Sequence, residues 1–276
     1  MISVVICSKN EEKRIKDCIE SVVLECPDEI ILVDGNSIDA TVEIARSFGV
    51  KVIHSKNSNL TRDRQIGVDA CRNELIAMID SDHRLNLGDL ASLERDLMEL
   101  DLDIVQASLK IQPIGFLCRG EKQYTDLIIN KPGEKEMIGV APCLYRKKVF
   151  DLVKFDDNIT STIDDTDFIY RLKRQGAYKI GTGHTLITSL HESGFISYFN
   201  KFKWYGKGDG EFCIKNPERA LSMLFHLLVR YPFLYSLRAA LSAQFIAIPF
   251  VIFQGLTRAI FLFVRVIELR FGVGLK

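Results

Sequence analysis

The chain has 276 residues, of which 47% are hydrophobic and 26% are charged. Its 36 lysines and arginines balance 36 aspartates and glutamates, which excludes the overall basic field of a typical nucleic-acid binder. This length and apolar content suffice for one large domain or for one domain with an appendage. The seven scattered cysteines form no C-x-x-C pair, which favours reduced thiols in a cytoplasmic compartment over a disulfide framework or a zinc site.

Charge is distributed unevenly along the chain. From Arg219 onward the sequence holds seven basic residues and one acid, Glu268, so the preceding part is net acidic. Basic residues around an apolar tail are typical of contact with a membrane surface that carries anionic lipids. The chain opens on a strand pattern instead of a basic and then apolar leader, which predicts no cleavable signal peptide.

Short apolar runs alternate with helix patterns through the first 80 residues. Strands are predicted at residues 2–7, 29–34, 51–54 and 74–80. Helices are predicted after Asn10, which suits an N-cap, from Ala40, and from Arg62. Continuous apolar strands separated by helices are typical of a parallel sheet covered on both faces. The pattern predicts an α/β fold with a Rossmann-like, mostly parallel central sheet and flanking helices.

The middle of the chain is less regular. Helices are predicted at residues 87–100, 115–130, 164–175 and 195–205. Strands are predicted at residues 103–112, 143–145 and 186–190. The glycine-rich stretch 206–210 is predicted to be a flexible loop that acts as a lid or as a linker.

The C-terminal part is strongly apolar. Residues 239–257 carry no charge, and a helix of that length spans roughly 29 Å, about one bilayer core. Residues 221–237 mix apolar residues with His226 and Arg230, as an interfacial helix does. A buried pair of soluble helices is the alternative. We expect a catalytic domain at residues 1–215 and a membrane-associated helical segment at residues 216–276.

Two carboxylates end the fourth predicted strand. The apolar run from Leu75 leads directly into Asp80 and Asp82, with one small residue between them. In open α/β sheets, ligands bind at the carboxyl ends of the strands. Two adjacent carboxylates repel each other unless a cation lies between them, and Mg²⁺ is often shared by carboxylates and substrate phosphates. The alternative is that both aspartates merely begin a loop.

The order of six short motifs resembles glycosyltransferase family 2, whose fold is called GT-A. The matching segments are residues 8–12 (S-K-N-E-E), 33–41 (V-D-G-N-S-I-D-A-T), 64–67 (R-Q-I-G), 79–82 (I-D-S-D), 145–156 and 164–172 (D-D-T-D-F-I-Y-R-L). They are similar to the family patterns T-Y-N-E-E, V-D-D-G-S-x-D-G-T, R-N-x-G, D-x-D, R-R…F-D and E-D-x-D-L-x-x-R-L. The resemblance covers residues 1–208.

A weaker match follows. Residues 200–204 (N-K-F-K-W) resemble a degraded form of the Q-x-x-R-W pattern of the family's membrane-bound synthases. With the apolar C-terminal segment, this is similar to dolichol-phosphate sugar synthases and to small cellulose-synthase-like enzymes.

The resemblance implies a nucleoside-diphosphate-sugar donor and a Mg²⁺ or Mn²⁺ cofactor. Asp82 is the expected metal ligand, with Asp80 sharing the metal or binding the donor ribose and His191 completing the metal site. A structural role for His191 is the alternative. The residues expected to bind the donor are Ser8, Asn10, Glu12, Asp34, Arg64, Asp80, Lys203 and Trp204.

Asp165 is the expected catalytic base, with Asp164 beside it. A base is needed only where the acceptor is a hydroxyl, because a lipid phosphate is already anionic. The alternative is that the acids of residues 164–167 only complement the helix dipole.

These expectations describe an inverting hexosyltransferase at the cell membrane with its catalytic domain in the cytoplasm. GDP-mannose is the first expected donor and UDP-glucose the second. The expected acceptor is lipid-linked, either a polyprenyl (dolichyl) phosphate or a lipid-linked saccharide. One alternative is a nucleotidyltransferase, which would need a glycine-rich basic loop that residues 8–12 lack. The other is a catalytically inactive membrane adaptor with a transferase fold.

Overall fold

A central sheet organises the first of the two units into which the chain divides. The computed structural model describes residues 1–56, 59–159, 162–176, 178–191 and 194–272. The first unit comprises Met1–Lys110, Asn130–Thr160 and Asp164–Leu190. The second unit comprises Ile111–Ile129, Ser161–Ile163 and His191–Lys276. The boundary expected near residue 215 stays a prediction.

Four parallel strands form one half of the sheet. They are β1 (Ile2–Ser8), β2 (Glu29–Asp34), β3 (Lys51–His54) and β4 (Leu75–Asp80), in the spatial order β3-β2-β1-β4. The helices between them are α1 (Ile15–Val23), α2 (Thr41–Ser47) and α3 (Leu60–Ala70). The alternation of strand and helix predicted for this part is confirmed.

The other half of the sheet is antiparallel. Over the described residues it contains β5 (His83–Arg84), β6 (Ile104–Ile111), β7 (Gly133–Glu134), β8 (Cys143–Arg146) and β9 (Ile180–Ser189). Strand β8 joins β4 and β6 antiparallel to both, and the order continues through β9 to β5. The helices of this part are α4 (Asp89–Glu99), α6 (Val149–Leu152) and α7 (Asp164–Arg174), whereas α5 (Gly115–Tyr124) belongs to the second unit. The sheet is therefore mixed.

Both faces of the central parallel strands β1 and β4 are buried. Alternate residues of β1 enter opposite clusters: Val4 and Ile6 lie in one and Val5 in the other. Helix α1 covers the first cluster, and α3 and α7 contribute to the second. Burial on both faces explains why these strands read as continuous apolar runs, and it places α3 and α7 on the same side of the sheet.

The second unit is helical throughout its described residues. It contains α5 (Gly115–Tyr124), which continues as a π-helical turn (Thr125–Ile129), and α8 (Phe195–Lys215). A continuous helix follows at Pro217–Leu241, made of a 3₁₀ turn, α9 (Ala220–Phe225), a π-helical stretch (His226–Tyr235) and α10 (Ser236–Leu241). The last helix is α11 (Ala247–Phe271). Pro217–Leu241 and Ala247–Phe271 are both long and apolar enough to cross a membrane.

Three expectations about local structure are wrong. The charge-free stretch 239–257 is not one helix, because α10 ends at Leu241 and Ala243 adopts a left-handed backbone (φ 55°). Asn10 is not the N-cap of α1, since it also has a positive φ (58°) and the helix begins at Ile15.

The stretch 206–210 is no loop but lies inside α8. A Cβ at Gly206 would collide with the carbonyl of Arg258, and one at Gly210 would lie 2.8 Å from the carbonyl of Leu262. Close packing of α8 on α11 therefore requires glycine here. It overrides the low helix propensity on which the prediction of a loop relied.

Candidate active site

Strand register gathers polar side chains at the carboxyl ends of the parallel strands. Ser8 of β1 pairs with Asp34 of β2, which pairs in turn with His54 of β3. Cys7 pairs with Asp80 of β4. This is the edge at which α/β sheets bind ligands, and it is the edge where the sequence places its first candidate residues.

Asp80 and Asp82 lie at this edge with partly open side chains, which are 39% and 33% exposed. Ligand atoms of Asp80, Asp82 and His83 lie within 4.8 Å of one another, the arrangement of a candidate metal centre among the described residues. The two carboxylates supply hard oxygen donors, which fit Mg²⁺ or Mn²⁺.

His83 was not singled out from the sequence, although it directly follows Asp82. The backbone N–H of Asp80 donates to His83 Nδ1 at 3.0 Å, so a neutral ring carries its proton on Nε2. Nε2 lies 3.8 Å from Asp82 Oδ1, and the ring is buried. The lone pair of Nδ1 is thus engaged by the backbone of Asp80, while Nε2 faces Asp82 beyond hydrogen-bond distance.

Arg64 connects the aspartates of β4 with those of α7. Its Nη2 lies 3.5 Å from Asp80 Oδ1, and its Nη1 forms an ion pair with Asp164. Arg64 and Asp164 are both buried. Gly67, one turn later in α3, is packed against Val5 so closely that a Cβ would collide with the valine side chain. This close approach holds Arg64 at the edge of the sheet.

The first turn of α7 carries three acids with different surroundings. Asp167 is fully buried and pairs with Arg171 at 2.6 Å, which is a structural role. Asp165 is half-buried, and its Oδ1 accepts hydrogen bonds from the backbone N–H and hydroxyl of Thr166. Asp164 therefore shares Arg64 with Asp80, and Asp165 is the next residue along α7 in the same unit.

The start of α3 is tied to the segment that precedes α7. Thr61 donates to the carbonyl of Ile159 at 3.1 Å, and Arg62 pairs with Asp157 at 3.1 Å. Asn59 caps α3 by accepting from the N–H of Arg62, and its amide donates to the carbonyl of Asp157. These contacts position the N-terminus of α7 beside Arg64.

Asp34 and Ser8 are buried at the same edge. The backbone N–H of Ser37 donates to Asp34 Oδ1 at 3.1 Å, and His54 Nδ1 lies 3.1 Å from Asp34 Oδ2. The hydroxyl of Ser8 has no hydrogen-bond partner among the described residues. Their expected contacts with the donor stay predictions.

Asn10 and Glu12 hold two loops together. Asn10 Oδ1 accepts from the N–H of Ile38 at 2.9 Å, and Glu12 Oε2 accepts from the N–H of Ala40 at 3.2 Å. Both side chains are exposed, and their expected contacts with the donor stay predictions.

Glu11, the residue between them, was missed by sequence reasoning. Burial raises the pKa of Glu11. Arg14 and a hydrogen bond with Ser81 oppose this rise, whereas the negative charge of Asp82 adds to it. Ser81 and Asp82 thus both influence the ionisation of the Glu11 carboxyl. The available signal was its place in the same motif as Asn10 and Glu12.

In the second unit, His191 belongs to a buried polar cluster. Its Nδ1 lies 2.7 Å from Glu121 Oε2, and Glu121 also accepts from Tyr198 and Lys201. Burial opposes ionisation of Glu121, but Lys201, His191 and Tyr198 together lower the pKa of Glu121 to about 2. His191 Nε2 is buried and has no hydrogen-bond partner among the described residues. Its expected metal role stays a prediction.

Lys203 and Trp204 lie on α8. The ammonium of Lys203 lies 5.3 Å from the ring centre of Phe261. Trp204 is 48% exposed and stacks on Tyr205, so it is not a core residue. Their expected contacts with the donor stay predictions.

Comparison with known proteins gives a consistent match. Residues 3–151 match the family described as "Glycosyl transferase family 2". The glycosyltransferase named EpsH of Bacillus subtilis strain 168 is 39% identical over 88 residues, which cover 29% of this chain and 26% of EpsH. "Glycosyltransferase GlyG" of Streptococcus pneumoniae serotype 4 is 30% identical over 113 residues, 38% of each protein. The chain thus matches only a quarter to two fifths of these relatives' lengths.

Among solved structures, S. aureus TarS 1-349 in complex with UDP-GlcNAc aligns over 100% of this chain and 93% of the TarS chain. The TM-score is 0.55 and the sequence identity is 14%. At that identity the likeness concerns the fold, which is the GT-A fold expected from the sequence.

Proposed function

Because the chain belongs to glycosyltransferase family 2, we propose that it is an inverting, metal-dependent glycosyltransferase. Its donor is a nucleoside-diphosphate hexose and its acceptor is a lipid-linked molecule at the membrane. Mannose stays the first predicted hexose and glucose the second. The solved TarS complex with UDP-GlcNAc supports a nucleoside-diphosphate-sugar donor as a class.

One observation carries the proposal. Arg64 contacts both Asp80, at the end of β4, and Asp164, at the start of α7, although the two aspartates are 84 positions apart in the chain. The departing diphosphate and the attacking acceptor oxygen lie on opposite faces of the same sugar carbon, so the acids that serve each of them must lie in one cleft. The arginine between them keeps the two sets of carboxylates from repelling each other.

The donor end of the site is formed by Asp80, Asp82 and the groups around them. Asp82 is the more available ligand because Asp80 already contacts Arg64. A bound Mg²⁺ or Mn²⁺ would supply Lewis-acid stabilisation of the departing diphosphate. His83 and Arg84 hold the aspartates in place, since Arg84 donates to the carbonyls of Ser81 and His83 at 2.8 and 2.7 Å.

The acceptor end is formed by Asp165. In the proposed reaction an acceptor oxygen bonds to the anomeric carbon from the face opposite the diphosphate, while the bond from that carbon to the diphosphate oxygen breaks. Asp165 takes the proton when the acceptor is a hydroxyl. Its half-buried position beside the buried Asp164 suits a group that must meet substrate.

Membrane localisation, with the catalytic unit on the cytoplasmic side, completes the proposal. Two candidate membrane helices, Pro217–Leu241 and Ala247–Phe271, support it. An acceptor anchored in lipid would meet an enzyme held at the same surface.

The test incubates the full-length chain with radiolabelled GDP-mannose, UDP-glucose and UDP-GlcNAc, separately, with lipid extracts as acceptor. We expect one donor to label the lipid phase in the presence of Mn²⁺ and not in the presence of EDTA. Turnover of none of the donors under any metal condition would contradict the proposal.

The Asp165→Asn variant separates the two acceptor types. With a hydroxyl acceptor, we expect a fall in turnover of about 10²- to 10⁴-fold, the usual contribution of a general base. With a polyprenyl phosphate acceptor, the fall is much smaller because the nucleophile is already ionised. Asp151→Asn is the matched control, since Asp151 is exposed on α6.

A further inference from the structure

The Pro217–Leu241 helix has a row of large apolar side chains exposed on its surface. Its members follow one another at helical spacing, with one step of five residues where the helix is π-helical. They are Leu221, Phe225, Leu228, Phe233, Leu237 and Leu241, all exposed. Only 11% of the most apolar 18-residue window of this helix is buried, against 44% for α11. Large exposed apolar surfaces of this kind mark interaction sites.

The opposite row of the same helix faces inward. Leu227, Tyr231 and Ala239 are buried, and a Cβ on Gly255 of α11 would lie 2.6 Å from both Leu227 O and Tyr231 Cβ. The side chain of Gln254 donates to the hydroxyl of Tyr231 at 3.2 Å. The helix is therefore packed firmly on α11, and its outer row is left without cover within the second unit.

Helix α11 has an apolar row of its own. Leu256, Ile260, Phe263 and Ile267 recur at intervals of three and four residues, and each is between 43% and 59% exposed. The second unit thus carries two outward-facing apolar rows on two helices that pack against each other.

Charges at mid-helix oppose a crossing of the bilayer. Arg230 lies near the middle of Pro217–Leu241, and Arg238 lies three residues before its end. Both are exposed. A charged side chain at the bilayer centre is costly, and such residues normally face the interior of a helix bundle. Here they stand on the open side of the helix.

The centre of α11 is tied to a charged helix. Arg258 donates two hydrogen bonds of 2.8 Å to Asp209 of α8, which is fully buried. Because Gly206 packs against the backbone of Arg258, α8 runs directly alongside α11. Helix α8 also carries Lys201, Lys203, Lys207 and Glu211, so a bilayer core around the centre of α11 would have to enclose these charges as well.

We propose that the second unit binds an anionic lipid surface by lying flat in one leaflet, with neither helix crossing the bilayer. The two apolar rows enter the boundary between headgroups and acyl chains, and the arginines beside them meet lipid phosphates. Amphipathic helices with basic residues at the edge of an apolar face bind membranes in this way. This inference refines the membrane association proposed above and is independent of the sugar and of the acceptor.

The charge of the second unit favours an anionic lipid surface over a second copy of the chain as its binding partner. From His191 to the end the sequence has eleven basic residues and five acids, and three of these acids, Asp209, Glu211 and Glu268, are paired with Arg258, Arg265 and Lys207. Two copies of a surface with this charge would repel each other, whereas an anionic leaflet would attract it.

The position of the helices is tested with single cysteines in a Cys26→Ser background. The reporters are Lys16→Cys on α1, Ser242→Cys between the two helices, and Arg270→Cys near the end of α11, all exposed positions. Sealed membrane vesicles of both orientations from expressing cells are treated with a membrane-impermeant maleimide. We expect all three reporters to react in the same orientation. Reaction of Ser242→Cys or Arg270→Cys in the other orientation means a crossing helix and overturns the proposal.

Lipid selectivity is tested with purified full-length protein and vesicles of phosphatidylcholine, with and without phosphatidylglycerol, in the absence of any sugar donor. We expect Arg230→Gln/Arg238→Gln to lower partitioning onto the anionic vesicles roughly thirtyfold. The matched control Lys51→Gln/Arg95→Gln, at exposed positions of the first unit, should not change it. Equal binding to both vesicle types, or a stable dimer that binds neither, overturns the proposal. Since no donor is present, either result stands apart from a failure to detect glycosyl transfer.

Discussion

Both units of this protein contain aspartates paired with an arginine, but the aspartates differ in how completely the arginine neutralises them. In the first unit Arg64 is shared between Asp80 and Asp164, and the side chains of Asp80 and Asp82 stay 39% and 33% exposed. In the second unit both oxygens of the fully buried Asp209 are held by Arg258. A carboxylate whose charge is only partly neutralised can take a further ligand. One that is completely paired inside a helix interface can only hold that interface together.

The largest expected effect breaks the completed pair. Asp209→Ala leaves the guanidinium of Arg258 partly buried with no counter-charge, which should lower the free energy of unfolding by about 3–5 kcal/mol. Urea denaturation of the detergent-solubilised full chain measures this. The control is Asp209→Asn/Arg258→Met, which removes both charges and should recover most of the loss. A single variant within about 1 kcal/mol of the parent would mean that the pair is not structural.

A second test uses acid on the other buried charge cluster of the second unit. The pKa of Glu121 is about 2 in the folded protein against an ordinary 4.5, so between these values the unfolded chain binds more protons. Glu121 should therefore stabilise the fold by about 3 kcal/mol above pH 4.5, and this should be lost progressively as the pH falls to about 2.

The measurement is the free energy of unfolding against pH for the parent and for Glu121→Gln. We expect the parent to lose more stability than the variant between pH 4.5 and 2. Parallel curves for the two proteins would contradict the assignment of that charge.

A third test addresses the open carboxylates of the first unit. If the proposed reaction is right, Asp82→Asn should lower kcat/KM roughly a hundredfold, because the substitution removes a charge at the proposed site of the departing diphosphate. Its free energy of unfolding should change by less than about 0.5 kcal/mol, since the side chain is a third exposed. Asp151→Asn should change neither quantity. A large loss of stability with Asp82→Asn would place this aspartate among the structural acids instead.

The smallest expected effects concern two glycines at which a helix packs closely against a neighbouring element. A Cβ at Gly67 would meet the side chain of Val5, whereas a Cβ at Gly206 would meet the backbone of Arg258. A side chain can move aside more readily than a backbone, so Gly67→Ala should cost about 1–2 kcal/mol and Gly206→Ala more. Gly194→Ala, where the nearest atom lies 3.7 Å away, is the near-neutral control. Thermal unfolding of the three variants checks the order, and equal losses at Gly67 and Gly206 would refute it.

Local pattern was sufficient for much of the first unit. Strands β1, β2 and β4 were predicted because burial makes each of them a nearly continuous apolar run, and β3 was predicted from its short apolar pair between two helix patterns. Strand β9 was predicted only from residue 186, although it begins at Ile180. Its first half is rich in small and polar residues because Gly183 and Thr185 pack against the buried Asp96, whose Oδ2 accepts from the N–H and hydroxyl of Thr185. That contact joins distant parts of the chain and leaves no periodic signal.

For the candidate site, the sequence identified the residue types and their order along the chain. It named Asp80, Asp82, Asp164 and Asp165, and their motifs place them at element ends. It did not indicate that the backbone N–H of Asp80 occupies His83 Nδ1, or that Asp82 and Ser81 influence the pKa of Glu11. Those facts depend on loop geometry, which residue spacing does not encode.

By itself, the sequence determined the α/β alternation, the carboxylates at the end of β4, the acidic start of α7 and the apolar, basic character of the last sixty residues. These features follow from local periodicity and composition, which do not depend on residues distant in the sequence. Only the tertiary structure decided that Arg64 would lie between two sets of acids and that Gly206 and Gly210 would continue a helix. Both depend on elements far apart in the chain approaching within contact distance, and that approach is set by packing.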